Sequence, residues 1–173
     1  MKIKIIMIAL IICHFYIPSV AYNSFKLNDD YNFAKSKFSW LKKDFYYYLD
    51  LRCKGKDIDP IFALSVVQHE SNGKNIISKQ NRNGSIDVGF FQINSVHMPK
   101  NPRKLLNYRL NTRKALWYMS LCLKKAKGDK YLACIYYNGG LNCNVRRYKR
   151  NKNKDYPKRI LKTYYNICER VDI

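Results

Sequence analysis

Acidic residues are scarce in this 173-residue chain, where 12 aspartates and glutamates stand against 33 lysines and arginines, for a formal charge of +21. Chemistry that needs a cluster of carboxylates therefore has few positions to draw on. No CxxC pair and no His/Cys cluster occurs, so neither a metal site nor a cofactor is expected. No apolar run reaches the roughly 18 residues that a membrane-spanning helix needs. There is no internal repeat, and no clear alternation of apolar and polar residues marks a β-sheet. What remains is a length that suits one domain with a sizeable core.

The chain begins in the layout of a secretory signal peptide over residues 1–21. Lys2 and Lys4 precede the apolar run Ile5 to Ile12, and Ser19-Val20-Ala21 forms a small-residue cleavage site. His14 and Pro18 interrupt the end of that run, which argues against a retained membrane anchor, and Cys13 does not follow a small residue, which argues against a lipoprotein signal. The mature chain is then expected to start near Tyr22, exported to the periplasm or secreted, with no membrane span. Removing Lys2 and Lys4 leaves a charge of +19, which favours an anionic partner such as a cell wall, an acidic lipid surface or a nucleic acid. The excess of Lys, Asn, Ile and Tyr is also what an AT-rich genome encodes, so the charge is a weak guide to partners. Five cysteines remain: Cys53, Cys122, Cys134, Cys143 and Cys168. An exported protein can form disulfides, and five cysteines allow at most two. Cys134, inside an apolar helical run, is expected to be a buried thiol, and the pairing of the others is not readable.

Tyr22 to Phe33 reads as a polar, irregular leader. From Ala34 to Arg52, Phe38, Leu41, Phe45, Tyr48 and Leu49 fall on one helical stripe with lysines opposite, the mark of a core-facing helix. The division expected is a basic leader and start of the first helix over 22–43, followed by one domain over 44–173. Asn75 to Ser85 reads as a loop or small hairpin around Asn83-Gly84. A helix over Leu110 to Lys127 buries Leu116, Met119, Leu123 and Ala126. Asp129 caps an almost wholly apolar helix, KYLACIYYN, which Gly139-Gly140 closes. Leu141 to Lys154 reads as a basic loop. A last helix capped by Asp155 turns Ile160, Tyr164 and Ile167 inward. The fold class expected is mainly α, a single helical domain with room for one small β-hairpin.

The stretch Ile58 to Asn94 organises the rest. Asp59 is a good N-cap, and Pro60 occupies the first helical position, where its missing N–H costs nothing. The helix runs to Asn72-Gly73, where Gly supplies the left-handed stop. At helical spacing Phe62, Val66 and Glu70 share a face. Glu70 thus ends an apolar stripe at the negative end of the helix dipole. Desolvation and the dipole both disfavour its ionised form, and a carboxyl kept protonated near neutral pH is a proton donor.

Three motifs in order sharpen this: HES at 69–71, GFFQIN at 89–94 and YYNGG at 136–140. Together they resemble the lysozyme-like soluble lytic transglycosylases, over about Tyr48 to Tyr165, which implies an α+β lysozyme-like fold. NRNGSIDVGFFQIN resembles most closely the small exported members that accompany secretion and conjugation machines. The resemblance implies that Glu70 is the catalytic acid/base and that Ser71 touches substrate or braces the acid. It also implies that Gly89, Phe91 and Gln92 line the sugar groove. The Tyr137 hydroxyl would approach the catalytic carboxyl, Asn138 would help place the sugar, and Tyr156 aligns loosely with an aromatic residue before the final helix. Phe90-Phe91 stands where Leu-Met is common, Gly139 where Ala is common, and Ala115 where Gly is common.

The implied activity is non-hydrolytic cleavage of the MurNAc–GlcNAc bond in peptidoglycan, leaving a 1,6-anhydro-MurNAc end, for wall opening by a secretion or conjugation apparatus. Two alternatives stay open: a hydrolytic lysozyme of the same fold, and a non-catalytic wall-binding or scaffold protein. A nucleic-acid partner is not expected, because the aromatic residues match a sugar groove better than a base-stacking platform.

Overall fold

The computed structural model describes residues 19–151 and 153–168, with side chains from Lys26 onward. Most of the expected signal peptide therefore lies outside the described residues. Among those described are seven α-helices: α1 Ser19–Lys37, α2 Lys43–Lys54, α3 Pro60–Ser71, α4 Tyr108–Lys125, α5 Lys130–Gly139, α6 Val145–Tyr148 and α7 Tyr156–Cys168. Two-residue strands β1 Asp87–Val88 and β2 Ile93–Asn94 pair antiparallel, with Asp87 opposite Asn94 and Val88 opposite Ile93. Short 3₁₀ turns follow at Ser95–His97 and Pro102–Leu106. This is the mainly helical, lysozyme-like α+β arrangement expected. No described helix is long and apolar enough to cross a membrane.

The apolar α5 is central, packed against both α4 and α7, while α7 also packs on α3. Phe62, Val66, Leu116, Met119, Cys134 and Ile160 meet in this core. Cys53 and Cys122 are buried as well as Cys134, and burial pushes the Cys122 and Cys134 thiols up to about 12.

The N-terminal region corrects the sequence reading. Tyr22 to Phe33 is helical, not irregular, and belongs to α1. Leu27, Tyr31, Ala34 and Phe38 recur at helical spacing and pack into the main core, but polar residues between them conceal the period. The expected single helix over Ala34 to Arg52 is in fact broken at Phe38 to Lys42. No Pro or Gly marks that break. It is held by burial of Phe38 and Leu41 and by Trp40, whose indole N–H donates to Gln68 Oε1 at 2.6 Å. The Trp40 ring stacks on Phe90 at 6.4 Å. Gly73 makes room for it, since a Cβ there would lie 2.0 Å from the Trp40 ring. The left-handed stop of α3 is Asn72 (φ 51°) with Gly73 (φ 69°) after it, not Gly73 alone.

The loop or small hairpin expected around Asn83-Gly84 is there: Gly84 N–H donates to Asn81 O at 2.9 Å, and the flanking segments meet at an antiparallel Ile77–Val88 bridge, with Ser78 N–H donating to Asp87 O at 2.8 Å. A second antiparallel pairing, β1 with β2, turns through Gly89 to Gln92. The basic 141–154 segment contains the short α6.

Candidate active site

Helix α3 is fixed at both ends. Asp59 Oδ1 accepts from the N–H of Ile61 at 2.8 Å, and Asp59 Oδ2 accepts the Tyr164 hydroxyl of α7 at 2.6 Å. At the other end the Tyr156 hydroxyl, at the start of α7, donates to Glu70 Oε1. Tyr156 is buried, and the His69 ring stands edge-on to it at 5.1 Å. Burial pushes Glu70 up to about 7 from an ordinary 4.5; the charge of Asp87 adds to the rise, and the Tyr156 hydrogen bond opposes it. Burial, and then the charge on Glu70, hold both the Tyr156 and Tyr137 hydroxyls well above the usual tyrosine range, so each remains a donor.

The hairpin turn is clamped onto this helix. Asn111 of α4 is fully buried; its Oδ1 accepts from Phe91 N–H at 3.0 Å and its Nδ2 donates to Val88 O at 2.8 Å. Gly89 (φ 83°) N–H donates to Ile76 O at 2.7 Å. Ser71 Oγ donates across to Phe90 O at 2.8 Å. Gln92, also left-handed (φ 46°), donates from Nε2 back to Gly89 O at 2.7 Å. These partners fix the shape of the turn.

Between this turn and α4 and α5 runs a groove of about 1010 Å³, whose lining includes Glu70, Asp87, Gln92, Trp117, Tyr137 and Asn138. Asp87 is oriented by Asn94, which donates to its Oδ1 at 2.8 Å, and by Asn81, which donates to its Oδ2 at 3.1 Å. No group of three or more His, Cys, Asp or Glu side chains among the described residues could hold a metal.

A carboxyl that holds its proton up to about pH 7, at the wall of a mixed polar and apolar groove, suits protonation of a bond in a bound chain. The family model described as Transglycosylase SLT domain matches residues 50–160. The chain belongs to this transglycosylase family. No curated protein matches it. Membership makes this a peptidoglycan-acting domain of the lytic-transglycosylase type, with peptidoglycan as its substrate.

Within the transglycosylase domain the expected site residues divide into two groups. Glu70, Phe91, Gln92, Tyr137 and Asn138 line the groove, whereas Ser71, Gly89 and Tyr156 do not. Ser71 is buried and ties α3 to the hairpin turn through Phe90 O. Gly89 is buried because a Cβ would fall 2.3 Å from Asn111 Nδ2, so it provides close approach. The tyrosine hydroxyl on the Glu70 carboxyl belongs to Tyr156, while that of Tyr137 donates to Phe91 O at 3.4 Å. Asn138 Oδ1 accepts from the Tyr148 hydroxyl at 2.8 Å and from Asn153 Nδ2 at 3.3 Å, leaving its NH₂ for a ligand.

Sequence reasoning missed the Asn111 clamp and the groove residues Lys114, Trp117 and Tyr118. A buried asparagine one helix away leaves no local trace. Trp117 does, as a large aromatic residue off the buried stripe of Leu116, Met119 and Leu123.

Proposed function

We propose that this transglycosylase domain cleaves the MurNAc–GlcNAc bond without water, with Glu70 as its only acid/base. The observation that carries the reading is the environment of Glu70, where burial keeps the carboxyl protonated near neutral pH and the Tyr156 hydroxyl fixes its orientation. Glu70 gives its proton to the glycosidic oxygen as the bond to MurNAc C1 breaks. The MurNAc acetamido group stabilises the oxocarbenium-like centre. Glu70, now a carboxylate, takes the proton of the C6 hydroxyl, whose oxygen bonds to C1 and closes the 1,6-anhydro ring. Tyr156 steadies the carboxylate between the two transfers, and Phe91, Gln92, Tyr137 and Asn138 hold the sugar.

The hydrolytic alternative has one observation in its favour. Asp87 shares the groove and acts on Glu70 electrostatically, so it is the group that would hold a water. The proposal extends to an exported protein that opens the wall locally for a secretion or conjugation apparatus, supported by the signal-like start and by NRNGSIDVGFFQIN. Mass spectrometry of purified peptidoglycan after digestion tests the chemistry, with Glu70→Gln in parallel. Fragments ending in 1,6-anhydro-MurNAc, absent with the variant, are expected. Fragments heavier by one water refute the non-hydrolytic route, and no fragments from the folded protein refute catalysis.

A further inference from the structure

Large apolar side chains exposed to solvent carry information when they gather in a concave surface. Among the described residues Trp117 is 56% exposed and Val96 is 60% exposed, and both line the groove that holds Glu70. Neither belongs to any of the three sequence motifs. Trp117 lies on α4, on the same groove face as Lys114, Tyr118 and Leu121, at the three- and four-residue spacing of one helical face. Val96 lies in the 3₁₀ turn that follows β2.

Three rings of the same groove lining, His97, Tyr118 and Tyr137, contact one another in turn. Tyr118 contacts Tyr137 at 5.7 Å between centroids and His97 at 6.4 Å. Tyr118 is committed to the protein, since its hydroxyl donates to Tyr136 O at 3.3 Å. Among the described residues no ring stacks on Trp117 and none hydrogen-bonds its indole, while Ser120 Oγ donates to its backbone carbonyl at 2.9 Å. An indole left open at the edge of a polar groove offers a flat apolar face beside groups that donate and accept hydrogen bonds. A pyranose ring presents the complementary surface, a face of C–H groups rimmed by hydroxyls.

We infer that Trp117, with Val96, forms a sugar-stacking subsite that grips an N-acetylhexosamine of the glycan away from the bond being cut. The inference rests on reading the groove as a glycan site and adds what holds the strand along its length. It makes the domain sensitive to chain length, because only a glycan long enough to reach Trp117 gains the contact.

The chain has two tryptophans, and Trp40 is tied to Gln68 and Phe90 on the far side of α3. Fluorescence therefore reads the subsite. In the Glu70→Gln protein, titration with chitopentaose should shift tryptophan emission to the blue, and the same titration in Glu70→Gln/Trp117→Ala should show no shift. Affinity for chitopentaose, measured by calorimetry, should fall about tenfold with Trp117→Ala and stay within about threefold with Trp117→Phe. Chitobiose affinity should change little. With Glu70 intact, Trp117→Ala should raise KM for long glycan strands far more than it lowers kcat. Since Trp117 is largely exposed, the variant should melt with the parent. Equal chitopentaose affinity in the parent and Trp117→Ala, with wild type still releasing fragments, overturns the subsite and leaves the function standing. No chitopentaose binding and no fragment release by wild type overturns both.

Discussion

Glu70→Gln should make the protein more stable, and only above a definite pH. The substitution keeps the shape of the side chain and an oxygen to accept the Tyr156 hydrogen bond, but removes the ionisation. In the folded protein Glu70 ionises at about 7 rather than 4.5, chiefly because it is buried. The folded state therefore binds the proton more tightly than the unfolded chain does. Below the unfolded value both states are protonated and the favourable contribution is fully present. It is lost as pH rises through the folded value, because the native protein must then hold a buried negative charge. A difference of about 2.5 pH units corresponds to about 3 kcal/mol. Glu70→Gln should thus match wild type at pH 4 and exceed it by about 3 kcal/mol at pH 8. For a domain of this size that is a Tm higher by roughly 6–12 °C. Thermal melts at half-unit pH intervals give the curve directly. A Tm difference that is constant with pH, or that vanishes at pH 8, would refute the claim that burial governs the acidity of Glu70.

Two further outcomes follow from the same contacts. Tyr156→Phe removes a hydrogen bond that favours the charged form of Glu70, so the alkaline limb of the pH–activity profile should move up by about one pH unit, with a lower maximal rate; a limb that stays put or moves down refutes the role given to Tyr156. Gly89→Ala drives a Cβ into Asn111 and to within 2.8 Å of Leu105 O at φ 83°, and should cost about 2–4 kcal/mol in urea unfolding, whereas Gly128→Ala, with nothing within 4 Å, should cost only about 1–2 kcal/mol of backbone strain.

Local signals in the sequence reached far into this fold. Asp59, Pro60 and Asp129 delimit their helices where cap chemistry places them, with Asp129 Oδ1 accepting from Leu132 N–H at 3.0 Å. The stripe of Phe62, Val66 and Glu70 points inward as its spacing requires. What was not legible depends on partners distant in the chain. The break after Lys37 carries no breaker residue and exists because Trp40, Phe38 and Leu41 have better places in the core than a continuous helix would give them. The turn between β1 and β2 carries no turn dipeptide, because its shape is imposed by Asn111 from α4. Of two tyrosines near the acid, the motif pointed to Tyr137, while the backbone brought Tyr156 to the carboxyl.

Tyr156 lies 86 residues after Glu70 and opens the last helix. As the polypeptide emerges from the ribosome, Glu70 appears long before the groups that tune it. Until α7 has been made and has docked on α3, the Glu70 carboxyl lacks the Tyr156 hydrogen bond. The order of synthesis thus completes the surroundings of Glu70 last, and a chain cut before Tyr156 carries the HES motif without the helix that packs on α3. On the proposed role of Glu70, such a truncation should lose activity and not give a smaller enzyme.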